Sequence, residues 1–276
     1  LEKCVSYDGK PRDAKWSDSE AQAFWAHMAP ESTLKTYAKP VRTEHYIIMN
    51  DAPGAKDFAK RIEANYAAMR KVLPFEEQKG RRLLPVLLFH TGEEFQKFYV
   101  HKYKLDPKTT VYETCQAGGT WFATSTEADD YEDQLQDLAK QLMLTRAHCW
   151  GAGLWFRSGL RWYVASKPVD RIEGRNAVKK GRYTPIEKLL DNAAWGERQR
   201  KEDRGVEKEA DYWDQSALWM EFLHDSPALK DKFPKFVQTM GAIPDSDSAK
   251  IIQALESLYG MSLTSLEAKW VEHFKK

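Results

Sequence analysis

Histidine and cysteine are the residues of this chain best suited to metal or nucleophilic chemistry, and their spacing supplies little of either. A catalytic zinc takes three protein ligands and keeps one position open for water. Two of those ligands commonly stand at i and i+4 on one helix, with a glutamate base beside the first. The seven histidines (His27, His45, His90, His101, His148, His224 and His273) include no such pair. His148-Cys149 is the only adjacent pair of soft donors. It reads either as part of a metal site completed by Cys115, or as a histidine at a helix C-terminus, where a cation suits the dipole. His90-Thr91-Gly92-Glu93 reads as a strand-to-helix turn in which His90 makes a local hydrogen bond. No G-x-S-x-G elbow, P-loop or dinucleotide fingerprint occurs, and Ala117-Gly118-Gly119 reads as a flexible turn.

Composition narrows the class. The 42 basic residues are balanced by 41 acidic ones, which gives no nucleic-acid footprint. No run approaches the roughly 18–20 apolar residues of a membrane span. A chain of 276 residues can bury a sizeable core, as one large domain or two lobes. Ten tryptophans and twelve tyrosines serve either that core or an interface. Three cysteines, an odd number, leave at least one thiol free or shared between chains. Cys115 and Cys149 read either as a bridge or as two buried thiols. A start at Leu1 fits a mature product whose signal peptide was removed, or a trimmed chain. Leu1-Glu2-Lys3 before Cys4 is a poor lipobox.

The elements that position these residues follow from periodicity and punctuation. Residues 1–16 read as an irregular arm, and Ser17-Asp18-Ser19-Glu20 starts a helix that runs to Pro30. Val41–Met49 reads as one strand and Lys56–Leu73 as a helix. Leu83–Phe89 reads as a buried strand in which Pro85 marks an edge or a strand start. Thr91 caps a helix to Tyr103, with Glu94 at the capping-box position. A strand follows over 119–125, then helices over 131–148 and 154–166, the second ended by Pro168. Residues 170–182 and 195–210 are highly charged and read as exposed loops. Helices are expected at 184–191, 211–224, 226–240, 247–259 and 262–275, with Gly260 as a C-cap between the last two.

The two helices at 131–148 and 154–166 carry a resemblance. Leu138-Ala139-Lys140-Gln141-Leu142-Met143-Leu144 and Leu154-Trp155-Phe156-Arg157-Ser158-Gly159-Leu160-Arg161-Trp162-Tyr163 resemble consecutive helices of the gluzincin metallopeptidases, the peptidase MA-like group of secreted bacterial proteins. Those typically read L-A-H-E-L-x-H and P-W-L-S-E-G-L-A-E-Y. On that pattern the zinc ligands fall on Lys140, Leu144 and Ser158, and the general base falls on Gln141. Lys140 repels a cation, Leu144 has no donor atom, Ser158 is a poor zinc ligand, and Gln141 accepts no proton near neutral pH. Tyr212-Trp213-Asp214-Gln215-Ser216-Ala217 with Phe222-Leu223, and Tyr259-Gly260 with Ser262-Leu263, Leu266-Glu267 and Trp270, resemble the family's later helices. The resemblance spans about 41–275.

The resemblance implies an α+β, thermolysin-like architecture: an arm and helix at 1–40, a peptidase-like α/β lobe at 41–167 and a helical lobe at 168–276. It implies a former cleft lined by Trp121, Arg157, Arg161 and Tyr212. Lys140, Arg157 and Arg161 either make that cleft a receptor for a partner's carboxylate, or Lys140 faces solvent or pairs with an acid such as Asp137. The expected function is a pseudopeptidase without catalytic residues, metal or cofactor. It is expected outside the cytoplasm, binding other protein subunits and no nucleic acid, with no transmembrane segment. The alternatives are an active zinc metallopeptidase with relocated ligands, or an unrelated enzyme reusing the cleft.

Overall fold

The computed structural model describes residues 14–30, 39–50, 54–77, 80–108, 113–128, 131–191, 195, 212–245 and 247–275. The chain forms two compact units, one of Leu1–Lys71 with Phe75–Gln141 and one of Val72–Pro74 with Leu142–Lys276. The first is mixed α+β; every described element of the second is helical.

The first unit is built on five strands: β1 (Val41–Arg42), β2 (Tyr46–Asn50), β3 (Leu84–Phe89), β4 (Cys115–Ala117) and β5 (Phe122–Ser125). They lie in the order β1-β2-β3-β5-β4. The pairs β2–β3 and β3–β5 are parallel; β1–β2 and β4–β5 are antiparallel. All six residues of β3 are buried, as expected of an almost unbroken apolar run at the centre of a parallel sheet. Pro85 is therefore no edge marker. It is the second residue of β3, and pairing with β5 begins only at Val86.

The single strand expected at 41–49 is two. Thr43 Oγ1 and the Thr43 backbone N–H both bond at the Tyr46 backbone, which turns β1 back on β2. A threonine side chain can close such a turn without glycine or proline. The short edge strand β4 was not expected either; it pairs with β5 across the turn that contains Gly118 and Gly119.

Three helices flank this sheet in sequence. Ser17 caps α1 (Asp18–Met28) by accepting the Glu20 N–H at 3.1 Å, and Thr91 caps α3 (Gly92–Tyr103) by accepting the Glu94 N–H at 3.2 Å. Helix α2 (Ala55–Met69) connects β2 to β3. Phe24, Trp25 and Met28 of α1 join Ile47, Met49, Leu87, Phe89, Phe95 and Phe98 in one apolar core.

Helix α4 (Tyr131–Thr145) runs from the first unit into the second, and the division falls between Gln141 and Leu142. The second unit continues with α5 (Gly153–Ala165), α6 (Ile172–Lys179), α7 (Ile186–Leu189) and α8 (Tyr212–Asp225). A 3-10 turn at Lys230–Lys232 leads into α9 (Phe233–Gly241), then α10 (Ser248–Tyr259) and α11 (Leu263–Lys275). This division lies earlier than the boundary expected at 167–168. The reason is α5, which packs on α8: a Cβ at Gly159 would stand 2.7 Å from the Ser216 carbonyl oxygen. Trp219 of α8 stacks on Trp270 of α11 at 4.8 Å. Gly260, at φ 68°, ends α10 and donates its N–H to the Glu256 carbonyl.

The charged stretch 170–182, expected as a loop, contains α6. Its apolar anchors are small: Gly174, Ala177 and Val178 are buried. Arg171 is buried too, with its Nε donating to Glu221 at 2.8 Å. Charge counting missed this helix because part of the charge is inside. The other expected loop, 195–210, lies outside the described residues except for Trp195.

Candidate functional site

On α4, Leu138, Ala139, Leu142 and Met143 are buried, which anchors the helix and fixes the direction of its other residues. Lys140 is half-buried and shares a helix face with Leu144, one turn on. Gln141 is fully buried. Its Nε2 donates to the carbonyl oxygen of Pro85 in β3 and to that of Thr120 before β5, at 3.2 Å each. The primary amide has two N–H groups, and here it meets two acceptors. A carboxylate only accepts, so the same two carbonyls would oppose it. Gln141 thus acts as a tie between the helix and two strand ends, and its surroundings are shaped for a donor.

Ser158 lies on α5 and is buried beside Gly159, where the helix meets Ser216 of α8. Lys140 and Gln141 close the first unit, whereas Leu144 and Ser158 belong to the second.

The four residues expected to line a cleft have varied surroundings. Trp121 is buried in the first unit, edge-on to Phe98 at 5.6 Å, with its indole against Gly118. Tyr212 is buried and packs edge-on to Trp195 at 5.2 Å. Arg157 donates from Nη1 to Asp245 at 2.6 Å, and its guanidinium lies over Trp150. The carboxylate imagined as coming from a partner is therefore supplied to Arg157 by the chain itself. The same Asp245 accepts the Gly153 N–H at the start of α5, at 3.3 Å. Arg161 is half-buried.

The soft donors also resolve. Cys115 and Cys149 are both buried and are not bridged to each other. Cys115 lies in β4 of the first unit and Cys149 in the second. Burial pushes the Cys149 thiol up to about 12, which makes it a poor metal ligand and a poor nucleophile. His148 is exposed three residues beyond α4, with φ 49°. Among the described residues no group of three or more His, Cys, Asp or Glu is placed to hold a metal ion.

No protein-family model matches the chain, and no curated protein matches it. The gluzincin resemblance accordingly rests on the residues quoted for it.

Polar networks that the sequence did not disclose surround α5. The Tyr163 hydroxyl meets His224 Nδ1 at 2.8 Å and donates to Asp225 at 3.2 Å. Desolvation is the main cause that pushes the Tyr163 phenol up, so it stays a neutral donor. The hydrogen bond from His224 holds the Asp225 carboxyl below its ordinary value, against partial burial. Trp162 Nε1 donates to Asp214 at 3.0 Å, yet desolvation raises the Asp214 carboxyl. Arg171 and Arg175 share the Glu221 carboxylate, at 2.8 and 2.6 Å. These pairs join residues some 46–62 positions apart, so no local sequence pattern could have revealed them.

In the first unit His45 is gripped twice by Glu63: the backbone N–H donates to Oε1 at 2.8 Å and Nδ1 lies 2.6 Å from Oε2. The His45 ring stacks on Tyr66 at 3.8 Å. A groove of about 620 Å³ opens along α3 between Gln96, Val100, His101, Leu105 and Pro107. Lys97 at its rim is paired with Glu93 at 2.8 Å. Among the described residues that line it, the groove gathers no nucleophile–base pair.

Proposed function

We propose that this chain is a catalytically inactive, peptidase-like protein of thermolysin-like architecture, acting by contact as a binding or structural subunit of a larger assembly outside the cytoplasm. The observation that carries the reading is the Gln141 amide. Where the resemblance expects a general base, the side chain donates to two backbone carbonyls. The position is committed to holding the α/β unit together, and a base is disfavoured there by its neighbours. Leu144 offers no donor atom, and the Ser158 hydroxyl is a poor zinc ligand.

The test is elemental analysis and peptidase assay of the full chain purified without chelator. The expected result is no stoichiometric zinc at Lys140, Gln141, Leu144 and Ser158, and no peptide hydrolysis. Robust, chelator-sensitive hydrolysis would overturn the reading in favour of an active metallopeptidase with ligands elsewhere. Restoring the pattern with Lys140→His, Gln141→Glu, Leu144→His and Ser158→Glu tests the ancestry, and regained zinc affinity supports it. The native partner is expected to raise the melting temperature by mass action.

A further inference from the structure

The outer face of α6 plays no part in these networks. Val169 and Ile172 are 61% and 45% exposed. The Ile172 N–H donates to the Val169 carbonyl at 3.2 Å, so Val169 stands one turn ahead of the helix. Asn176, Lys179 and Lys180 follow Ile172 at i+4, i+7 and i+8, on the same face, and all three are exposed. The stripe therefore runs from aliphatic to cationic along one side of the helix.

The opposite side is fixed. Gly174, Ala177 and Val178 are buried. Arg171 donates to Glu221 and to the Ser166 carbonyl, both at 2.8 Å, and Arg175 adds a second bond to Glu221. The exposed stripe is thus carried on a helix that is anchored from beneath.

Charge is concentrated here. From Lys167 to Arg182 there are six basic residues (167, 171, 175, 179, 180 and 182) and two acidic ones (170 and 173), against 42 and 41 in the whole chain. Arg171 and Arg175 are held by Glu221. Lys167, Lys179, Lys180 and Arg182 are exposed and make no ion pair among the described residues. Asp170 is engaged in the turn, accepting the Lys167 backbone N–H.

We propose that this face docks on an anionic lipid surface, with Val169 and Ile172 entering the boundary between headgroups and acyl chains and Lys179 and Lys180 meeting lipid phosphates, while the exposed Lys167 and Arg182 add to the local positive charge. Two features favour a membrane over an acidic protein. Both cations on the stripe are lysines, compact charges on flexible stems that suit a diffuse anionic surface rather than a fixed carboxylate fork. The two aliphatic side chains stand at one end of the stripe, where a soluble anion would leave them in water and a bilayer would receive them. The proposal is independent of the peptidase-like reading.

Sedimentation of the full chain with vesicles tests it. Vesicles of about 30% phosphatidylglycerol in phosphatidylcholine are expected to carry the protein down at about 50 mM salt and to release it at about 0.5 M. Vesicles of phosphatidylcholine alone are expected to leave it in solution. Lys179→Glu with Lys180→Glu should lower partitioning at least about tenfold. Val169→Ser with Ile172→Ser should lower it about tenfold while keeping the salt dependence. All four positions are exposed, so an unchanged melting temperature accompanies each expected result. Failure of the unmodified chain to sediment with anionic vesicles at low salt overturns the proposal. So does wild-type binding by either double variant. Equal competition by soluble polyglutamate against the wild type and the Val169→Ser, Ile172→Ser variant also overturns it, and assigns the face to an acidic protein.

Discussion

Replacing Gln141 by glutamate should unsettle the α/β unit, and the size of the effect follows from two hydrogen bonds. In the native chain the amide donates to the Pro85 and Thr120 carbonyls at 3.2 Å each. Each neutral bond contributes about 1 kcal/mol, and a buried acceptor left without a donor costs about 1–3 kcal/mol. An ionised carboxylate removes both donors and places a charge at a fully buried position. The expected loss is about 3–5 kcal/mol near pH 8. The folded state then favours the protonated acid, so it holds its proton more tightly than the unfolded chain does. Stability of Gln141→Glu should therefore be highest below about pH 4.3, where the group is protonated in both states and can donate one bond. It should fall by at most about 1.4 kcal/mol per pH unit above that, and level off beyond the folded-state value. Gln141→Leu, which loses both bonds without adding charge, should show a constant offset from the wild type. Urea denaturation of the three proteins at several pH values between 4 and 8 reads this directly. If Gln141→Glu matches the wild type at pH 8, and their difference does not change with pH, the account of Gln141 as a required donor is wrong.

Three further outcomes are expected. Gly159→Ala places a Cβ 2.7 Å from the Ser216 carbonyl oxygen; prying α5 from α8 should cost about 1–3 kcal/mol, seen as a lower melting temperature of the helical unit. Asp214→Asn keeps an oxygen for Trp162 and removes a carboxylate whose protonated form burial favours. Because the wild type loses stability as pH rises through that raised value, the variant should melt higher than the wild type at pH 7 and show no advantage below about pH 3.9. Cys149, buried and pushed up to about 12, should resist iodoacetamide at pH 8 in the native protein and react once denatured, as peptide mass mapping would show.

What the sequence determined by itself was local. The apolar run before Phe89 specified a buried strand, Ser17 and Thr91 announced the starts of α1 and α3, and Gly260 announced the end of α10, because each depends on neighbours within a turn or two. The absence of ligand-type residues at 140, 144 and 158 could likewise be read directly. Local patterns failed where distant residues decided the outcome. Helix α6 looked like a solvated loop until Arg171 found Glu221, 50 residues away. The strand at 41–49 broke in two because Thr43 folds back on Tyr46. At the candidate site the sequence named Gln141, yet only the tertiary structure supplied its meaning. The carbonyls of Pro85 and Thr120 stand 56 and 21 positions away. A side chain's role in a folded protein depends on which donors and acceptors surround it, and three-dimensional packing brings those together from across the chain.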